Sequence, residues 1–149
     1  MKKDNFEFVV QKVTEIGANS IYPVLTDRTI KTNLNFDRLN KIIKEAGEQS
    51  GRIYFPNIFG ITDLKKINID KSILNIVFDI SGESLLDNVD FFKKYENINI
   101  WVGPEGGWSD NEIKFFKEKK FKIFNLNKNI LRAETAAILG IGFIKMIKE

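Results

Sequence analysis

The chain has 149 residues, 43% of them hydrophobic and 29% charged, with a net charge of +3. That is enough for one domain with a real core, and no apolar run approaches the roughly 18 residues that a membrane-spanning helix needs. Cysteine and histidine are both absent, which excludes disulfides, thiolate catalysis, every histidine-dependent nucleophile and the usual general base and metal ligand.

The charged opening Met1-Lys2-Lys3-Asp4 leads into no signal-peptide stretch, so a cytoplasmic protein without a metal is predicted. The basic excess permits a phosphate-rich partner without demanding one. Of the 23 Lys and Arg residues only Arg28, Arg38, Arg52 and Arg132 are arginine. Where arginine persists in a chain that otherwise uses lysine, a planar bidentate fork is the function to look for. Arg38 falls in a helical pattern and reads as a solvated surface group. The other three fall near a strand end or in a loop.

In chain order, residues 5–16 place Phe6, Val9, Val10, Val13 and Ile16 at helical spacing, and Gly17 supplies the stop. Residues 20–25 read as a short strand, with Pro23 arguing for an edge or an end. Residues 37–49 carry Leu39, Ile42, Ile43 and Ala46 on one face, with Asp37 as the expected N-cap. A brief strand is predicted at 52–55. The β-branched runs 73–80 and 98–102 fit strands buried on both faces of a parallel sheet, with a helix between them at 84–95. A helix at 109–119, a strand at 122–126 and a helix at 133–148 complete the chain. The alternation predicts an α/β fold with a mostly parallel sheet and helices on both faces. Ligands of such sheets sit beyond the carboxyl ends of the strands, which directs attention to the loops after Val102 and Leu126.

The first loop is Gly103-Pro104-Glu105-Gly106-Gly107-Trp108, followed by Ser109-Asp110-Asn111-Glu112, a capping-box pattern. Three glycines let backbone approach a ligand. The alternative is a tight strand-to-helix turn with no ligand. Neither the Walker A pattern nor the Rossmann glycine spacing is present, so a polyphosphate is disfavoured. An embedded Glu105 suits hydroxyls, an amine or positive charge, as in S-adenosylmethionine. The second loop runs from Leu126 to Thr135. Asn127 or Asn129 is expected to hold a left-handed turn. Ile130 and Leu131, with Arg132 and Glu134 after them, read as a pocket wall, while Glu134 is equally suited to the dipole of the helix it opens. That helix is apolar nearly all round, so one face should meet the sheet and another a second subunit. Gly140 and Gly142 inside it suggest close backbone approach.

Four segments, taken together and in order, resemble the RsmE type of the SPOUT methyltransferases. Lys12-Val13-Thr14-Glu15-Ile16-Gly17, with Ile21, Pro23 and Arg28-Thr29, is similar to its first motif. Glu45 through Arg52, with Pro56, is similar to its second. Gly103–Gly107 is its third, and Ile130 through Ala136 its fourth. The resemblance implies a C-terminal trefoil knot, which no spacing argument would propose. It also implies knot loops that bind S-adenosylmethionine, a homodimer with sites at its interface, and methylation of uridine N3 in 16S rRNA of the small ribosomal subunit. Family members usually add an N-terminal PUA-like RNA-binding domain, and residues 1–149 here correspond to the SPOUT domain alone.

On this reading Gly103, Pro104, Glu105, Gly106, Gly107, Leu126, Ile130, Leu131, Arg132, Glu134 and Thr135 hold the cofactor. Gln49, Ser50 and Arg52 contact substrate, although the first two could simply terminate a helix. Arg28, Arg52 and Arg132 face uracil oxygens or phosphates, with Glu15 or Glu134 as orienter or base. A structural ion pair between Glu15 and Arg28 is the competing reading of those two residues. The sequence departs from the family at Asn127, where glycine is usual, and at Ala133, where threonine is usual. A SPOUT enzyme acting on tRNA and a non-catalytic RNA- or nucleotide-binding module remain the alternatives.

Overall fold

The computed structural model describes residues 2–29 and 33–148. Helix α1 (Lys3–Ile16) ends where Gly17 takes a left-handed conformation, φ 112°, and its N–H returns to the carbonyls of Val13 and Thr14. Two short strands follow, β1 (Ser20–Ile21) and β2 (Val24–Leu25), and Pro23 splits what the pattern suggests is one strand. Helix α2 (Phe36–Gln49) is capped by Asn35, whose side chain accepts from the Arg38 N–H. Asp37 lies inside the first turn instead, where its charge complements the helix dipole.

Residues 52–55 are not a strand. They form an exposed bend in which Ile53 and Tyr54 are 87% and 78% accessible, and pairing begins only at β3 (Asn57–Ile58). An apolar run forms a strand only when a ladder partner is available, and β1 pairs with 57–58. Strand β4 (Thr62–Asp63) pairs with β2. The long strand β5 (Leu74–Ser84) absorbs the start of the expected 84–95 helix. Only a 3-10 turn at Leu86–Asn88 and the short α3 (Val89–Phe92) remain of it. Then come β6 (Ile98–Val102), α4 (Asp110–Glu118), β7 (Lys122–Asn125) and α5 (Ala133–Met146).

The main sheet has the order β6-β5-β7, and both pairings are parallel. Side chains alternate across it as the period of two requires. Leu74, Ile76 and Phe78 pack with Phe92, Phe124 and Ile144 on the α3/α5 side. Val77 packs with Trp108, Phe116 and Phe121 on the α4 side. Helices therefore cover both faces, as the sequence pattern predicts. Outside α5 lies α1, joined through Val9, Val13 and Ala137, and α2 lies outside α1 through Val10, Leu39 and Ile43. The loops after β6 and β7 meet the register break of β5 after Phe78 at one end of the sheet, where the threading implied by the resemblance would lie.

The two glycines of α5 are not equivalent. A Cβ on Gly140 would enter the ring of Phe78, whereas one on Gly142 would meet nothing within 4 Å. Close approach holds at Gly140 alone, and it lets α5 lie flat on the end of β5. Alanine gains about 1 kcal/mol of helix propensity at either site, but at Gly140 overpacking against a buried ring costs about 1–3 kcal/mol. Gly140→Ala is therefore expected to lower the denaturant midpoint and Gly142→Ala to raise it. Equal shifts in the two unfolding curves would show that Phe78 can move aside.

Candidate cofactor cleft at the carboxyl ends of the strands

The capping box at the start of α4 forms as its sequence requires. The Ser109 N–H donates to Glu112 Oε2 (2.7 Å), and the Glu112 N–H donates to Ser109 Oγ (3.2 Å). Glu112 does more than cap. It is 2% accessible, and its other oxygen accepts the N–H of Asp27 (2.9 Å) from the turn after β2. The Ser109 hydroxyl donates to Asp27 Oδ2 (2.6 Å). That bond, with Lys65 nearby, holds the Asp27 carboxyl below its ordinary pKa. Arg28 Nη1 donates to the carbonyls of Gly106 (2.6 Å) and Trp108 (3.2 Å). The turn at 26–29 is thereby stapled to the glycine loop and the α4 N-terminus. From the sheet side, the Trp108 indole N–H donates to the Phe78 carbonyl (3.1 Å), and its ring sits 3.1 Å from where a Gly103 Cβ would be. A side chain at 103 has no room.

Between these supports opens a cleft of about 130 Å³, about ten times what one water needs. Gly103, Pro104, Glu105 and Gly107 form one wall, and Leu126, Ile130 and Leu131 form another. Ala133 and Ala136, from the first turn of α5, close the back. The remaining expected cofactor residues do not line it. Gly106 turns its α-carbon toward the Arg28 stem, 3.3 Å from a Cβ there. Arg132, at the N-cap of α5, is exposed, and its side chain makes no hydrogen bond or ion pair among the described residues. Glu134 faces α1, where Asn5 Nδ2 donates to its Oε1 (3.4 Å), while its Oε2 is buried with no partner among the described residues. Thr135 is half-buried in the same turn.

The expected substrate residues are spread out. Glu15 accepts from Lys12 Nζ at 2.9 and 3.0 Å, so the Glu15–Arg28 ion pair is replaced by a Lys12–Glu15 pair and a guanidinium on backbone carbonyls. Gln49 is the last residue of α2, and Ser50 caps it, its hydroxyl donating to the Ala46 carbonyl (2.6 Å). Arg52 lies in the bend beyond, with Nε donating to the Tyr54 carbonyl (3.0 Å). None of Glu15, Gln49, Ser50 or Arg52 borders the cleft.

Asn127 and Asn129 do not adopt the expected left-handed conformation; among the described non-glycine residues only Lys120 does. The turn closes through side chains instead. Asn125 Oδ1 accepts from the Asn127 N–H (2.9 Å), and Asn127 Oδ1 accepts from the Asn129 N–H (3.2 Å), which is the Asx alternative open to asparagine. Missed from sequence were Phe78, Asp79 and Ile80 at the cleft. Strand β5 is the central strand and its ladder to β7 breaks after Phe78 before resuming at Glu83, so 78–80 border the crevice, but a β-branched run shows neither which strand is central nor where its ladder breaks.

The cleft residues fit S-adenosylmethionine. The apolar wall suits an adenine or a thioether, the glycine backbone allows close approach, and the Asp79 and Glu105 carboxylates suit an amine or sulfonium charge.

An RNA methyltransferase domain family matches residues 1–145. The chain is 32% identical to ribosomal RNA small subunit methyltransferase E 2 of Borreliella burgdorferi, over 100% of this chain and 64% of that protein. It is 34% identical to ribosomal RNA small subunit methyltransferase E of a Synechocystis strain, over 99% of this chain and 51% of that protein. The fold is similar to that of ribosomal RNA small subunit methyltransferase E from Neisseria gonorrhoeae bound to S-adenosyl methionine, with a TM-score of 0.88, 30% identity, and coverage of 97% of this chain and 62% of that one. Fold and site together define an α/β domain of the RNA-modifying kind, with its cleft at the carboxyl ends of a parallel sheet. The chain belongs to the RNA methyltransferase domain family, and it spans about half to two thirds of the length of these relatives.

Glu112→Ala is expected to strip the acceptor from two backbone N–H groups at once and cost about 2–4 kcal/mol. Urea unfolding measures it; an unchanged midpoint would mean that the staple between the 26–29 turn and α4 contributes nothing to stability.

Proposed function

We propose that this chain is the S-adenosylmethionine-dependent catalytic domain of a cytoplasmic methyltransferase that acts on N3 of a uridine in 16S rRNA of the small ribosomal subunit. The observation that carries the reading is the cleft itself. A glycine loop and an apolar wall meet at the carboxyl ends of parallel strands, in a fold shared with a relative solved with S-adenosyl methionine. The names of the small-subunit rRNA methyltransferases that the whole chain resembles support the substrate.

S-adenosylmethionine supplies an electrophilic methyl on a sulfonium. Gly103, Gly107, Leu126 and Leu131 would hold it, with Asp79, its Oδ1 already accepting from Ser81, on the side of its charged end. In-line placement does most of the work in such a transfer. The remaining task is the N3 proton. Arg132 stands beside the cleft residues Leu131 and Ala133 with its guanidinium uncommitted, at the positive end of α5. It stabilises a uridine anion there, so that a carboxylate, a water or solvent hydroxide suffices as acceptor. Glu15 and Arg28 act structurally, through Lys12 and the glycine loop.

A homodimer belongs to the same reading. Leu139 and Met146 are 48% and 71% accessible, and seven-residue spacing puts them on one face of α5. A second copy would cover this face. Light scattering at micromolar protein should give twice the 17.2 kDa chain mass, and a clean monomer would refute the dimer.

Gly103→Val drives a side chain into Trp108 and should weaken S-adenosylhomocysteine binding by about tenfold or more, about 1.4 kcal/mol. Arg132→Lys keeps charge and fold but loses the fork, so most incorporation of labelled methyl into 16S rRNA or small subunits should disappear at an unchanged melting temperature. Wild-type affinity in the first variant would reject the cleft as the cofactor site. Wild-type incorporation in the second would reduce Arg132 to a mere charge.

A further inference from the structure

The arginine of the second motif lies away from the cleft, in company the sequence does not suggest. A Cβ on Gly17 would collide with Arg52 Nη1 and lie 3.4 Å from Lys145 Nζ. Two cations from distant segments, the bend after α2 and the last turn of α5, thus converge over one glycine. Neither has a carboxylate partner among the described residues, whose ion pairs all fall elsewhere. The C-terminal end of α1 attracts both through its dipole. The N–H groups of Gly17 and Ala18 already serve the carbonyls of Val13 and Thr14 there, and the one described side-chain bond of the two cations goes to the Tyr54 carbonyl instead. Like charges held this close without an acid between them form a site for an anion.

The rest of the surroundings narrows the choice of anion. The Arg52 Nε bond to the Tyr54 carbonyl fixes the plane of the guanidinium and leaves both terminal nitrogens as donors. Beside it the Tyr54 side chain is 78% accessible and Ile53 87%. A fixed fork, an ammonium and an exposed aromatic ring are the elements with which proteins grip single-stranded nucleic acid: cations on the backbone, rings under the bases. The placement also fits. Helix α5 runs from the cleft at Ala136 to Lys145, about 14 Å at 1.5 Å per residue, a span of a few nucleotides.

We propose that Arg52 and Lys145 form a docking site for one backbone phosphate of the substrate RNA, with Tyr54 as the stacking surface for an adjoining base. The proposal rests on the RNA methyltransferase reading above. It makes Arg52 a positioning residue rather than a catalytic one.

Fluorescence anisotropy of the full chain with a short single-stranded oligouridylate, without cofactor and across a salt series, tests it. Lys145→Met and Arg52→Met each remove a charge and keep an unbranched stem. Each should weaken binding by about fivefold or more and lower the salt slope by about 0.7. Tyr54→Ala should weaken binding by a similar factor while leaving the slope intact. Lys71→Met, at an exposed lysine elsewhere, should change neither. Melting temperatures and S-adenosylhomocysteine affinity should stay at wild-type values throughout. Wild-type binding in both cation variants, an equal loss in Lys71→Met, or no RNA binding by the unaltered chain would each overturn the site. Absence of S-adenosylhomocysteine binding alongside the expected RNA pattern would instead overturn the methyl-donor reading and leave the phosphate site standing.

Discussion

The buried Glu112 carboxylate ties together parts of the chain that have no other reason to meet. One oxygen caps α4 through Ser109, and the other takes the N–H of Asp27. A carboxylate this deep is tolerated only because its oxygens find strong donors. Those donors belong to two segments, so neither can move without stranding the other. Arg28 follows Asp27 and is thereby aimed at the glycine loop, where it grips two carbonyls. Trp108 completes the frame from below through the Phe78 carbonyl. A loop with three glycines would be floppy on its own. Here its conformation is imposed from outside, which is what a preformed ligand cleft needs.

The same logic explains the last helix. Its N-terminal alanines face the cleft, its middle lies on the sheet, and its far end carries Lys145 to Gly17. Gly140 over Phe78 sets how close the helix comes to the sheet, and therefore how narrow the cleft is at Ala136. Small residues along one line of α5 are thus a single geometric requirement read at two places.

The sequence makes much of this legible. The alternation of β-branched runs with helical spacing is enough for an α/β fold, because burial of both sheet faces leaves a continuous apolar run that little else produces. The capping box is likewise a local signal, carried by residues that contact near neighbours in the chain. What fails is non-local. The 52–55 run is as apolar as a strand, yet the ladder available from β1 falls at 57–58. Asn127 has the composition of a left-handed turn, but a side-chain bond from Asn125 gives a cheaper closure. The role of Arg28 follows from a fold that brings it against a loop 78 residues away, and no spacing announces that. Asp79 escapes notice because strand order, which decides whose carboxyl end borders the crevice, is invisible in a list of strands.

Arginine scarcity gives a sharper lesson. The expectation that a rare arginine marks a planar fork is met by no two-nitrogen pairing at Arg28 or Arg52. Arg28 spends a single nitrogen, Nη1, on two protein carbonyls, a structural purpose, while Arg52 places Nε on the Tyr54 carbonyl and leaves its terminal nitrogens open. Composition can therefore single out an arginine without saying what it does. The deciding observation is what the remaining donors face. At Arg28 they face backbone acceptors that the loop must satisfy anyway. At Arg52 they face the Lys145 ammonium, and no carboxylate among the described residues pairs with either.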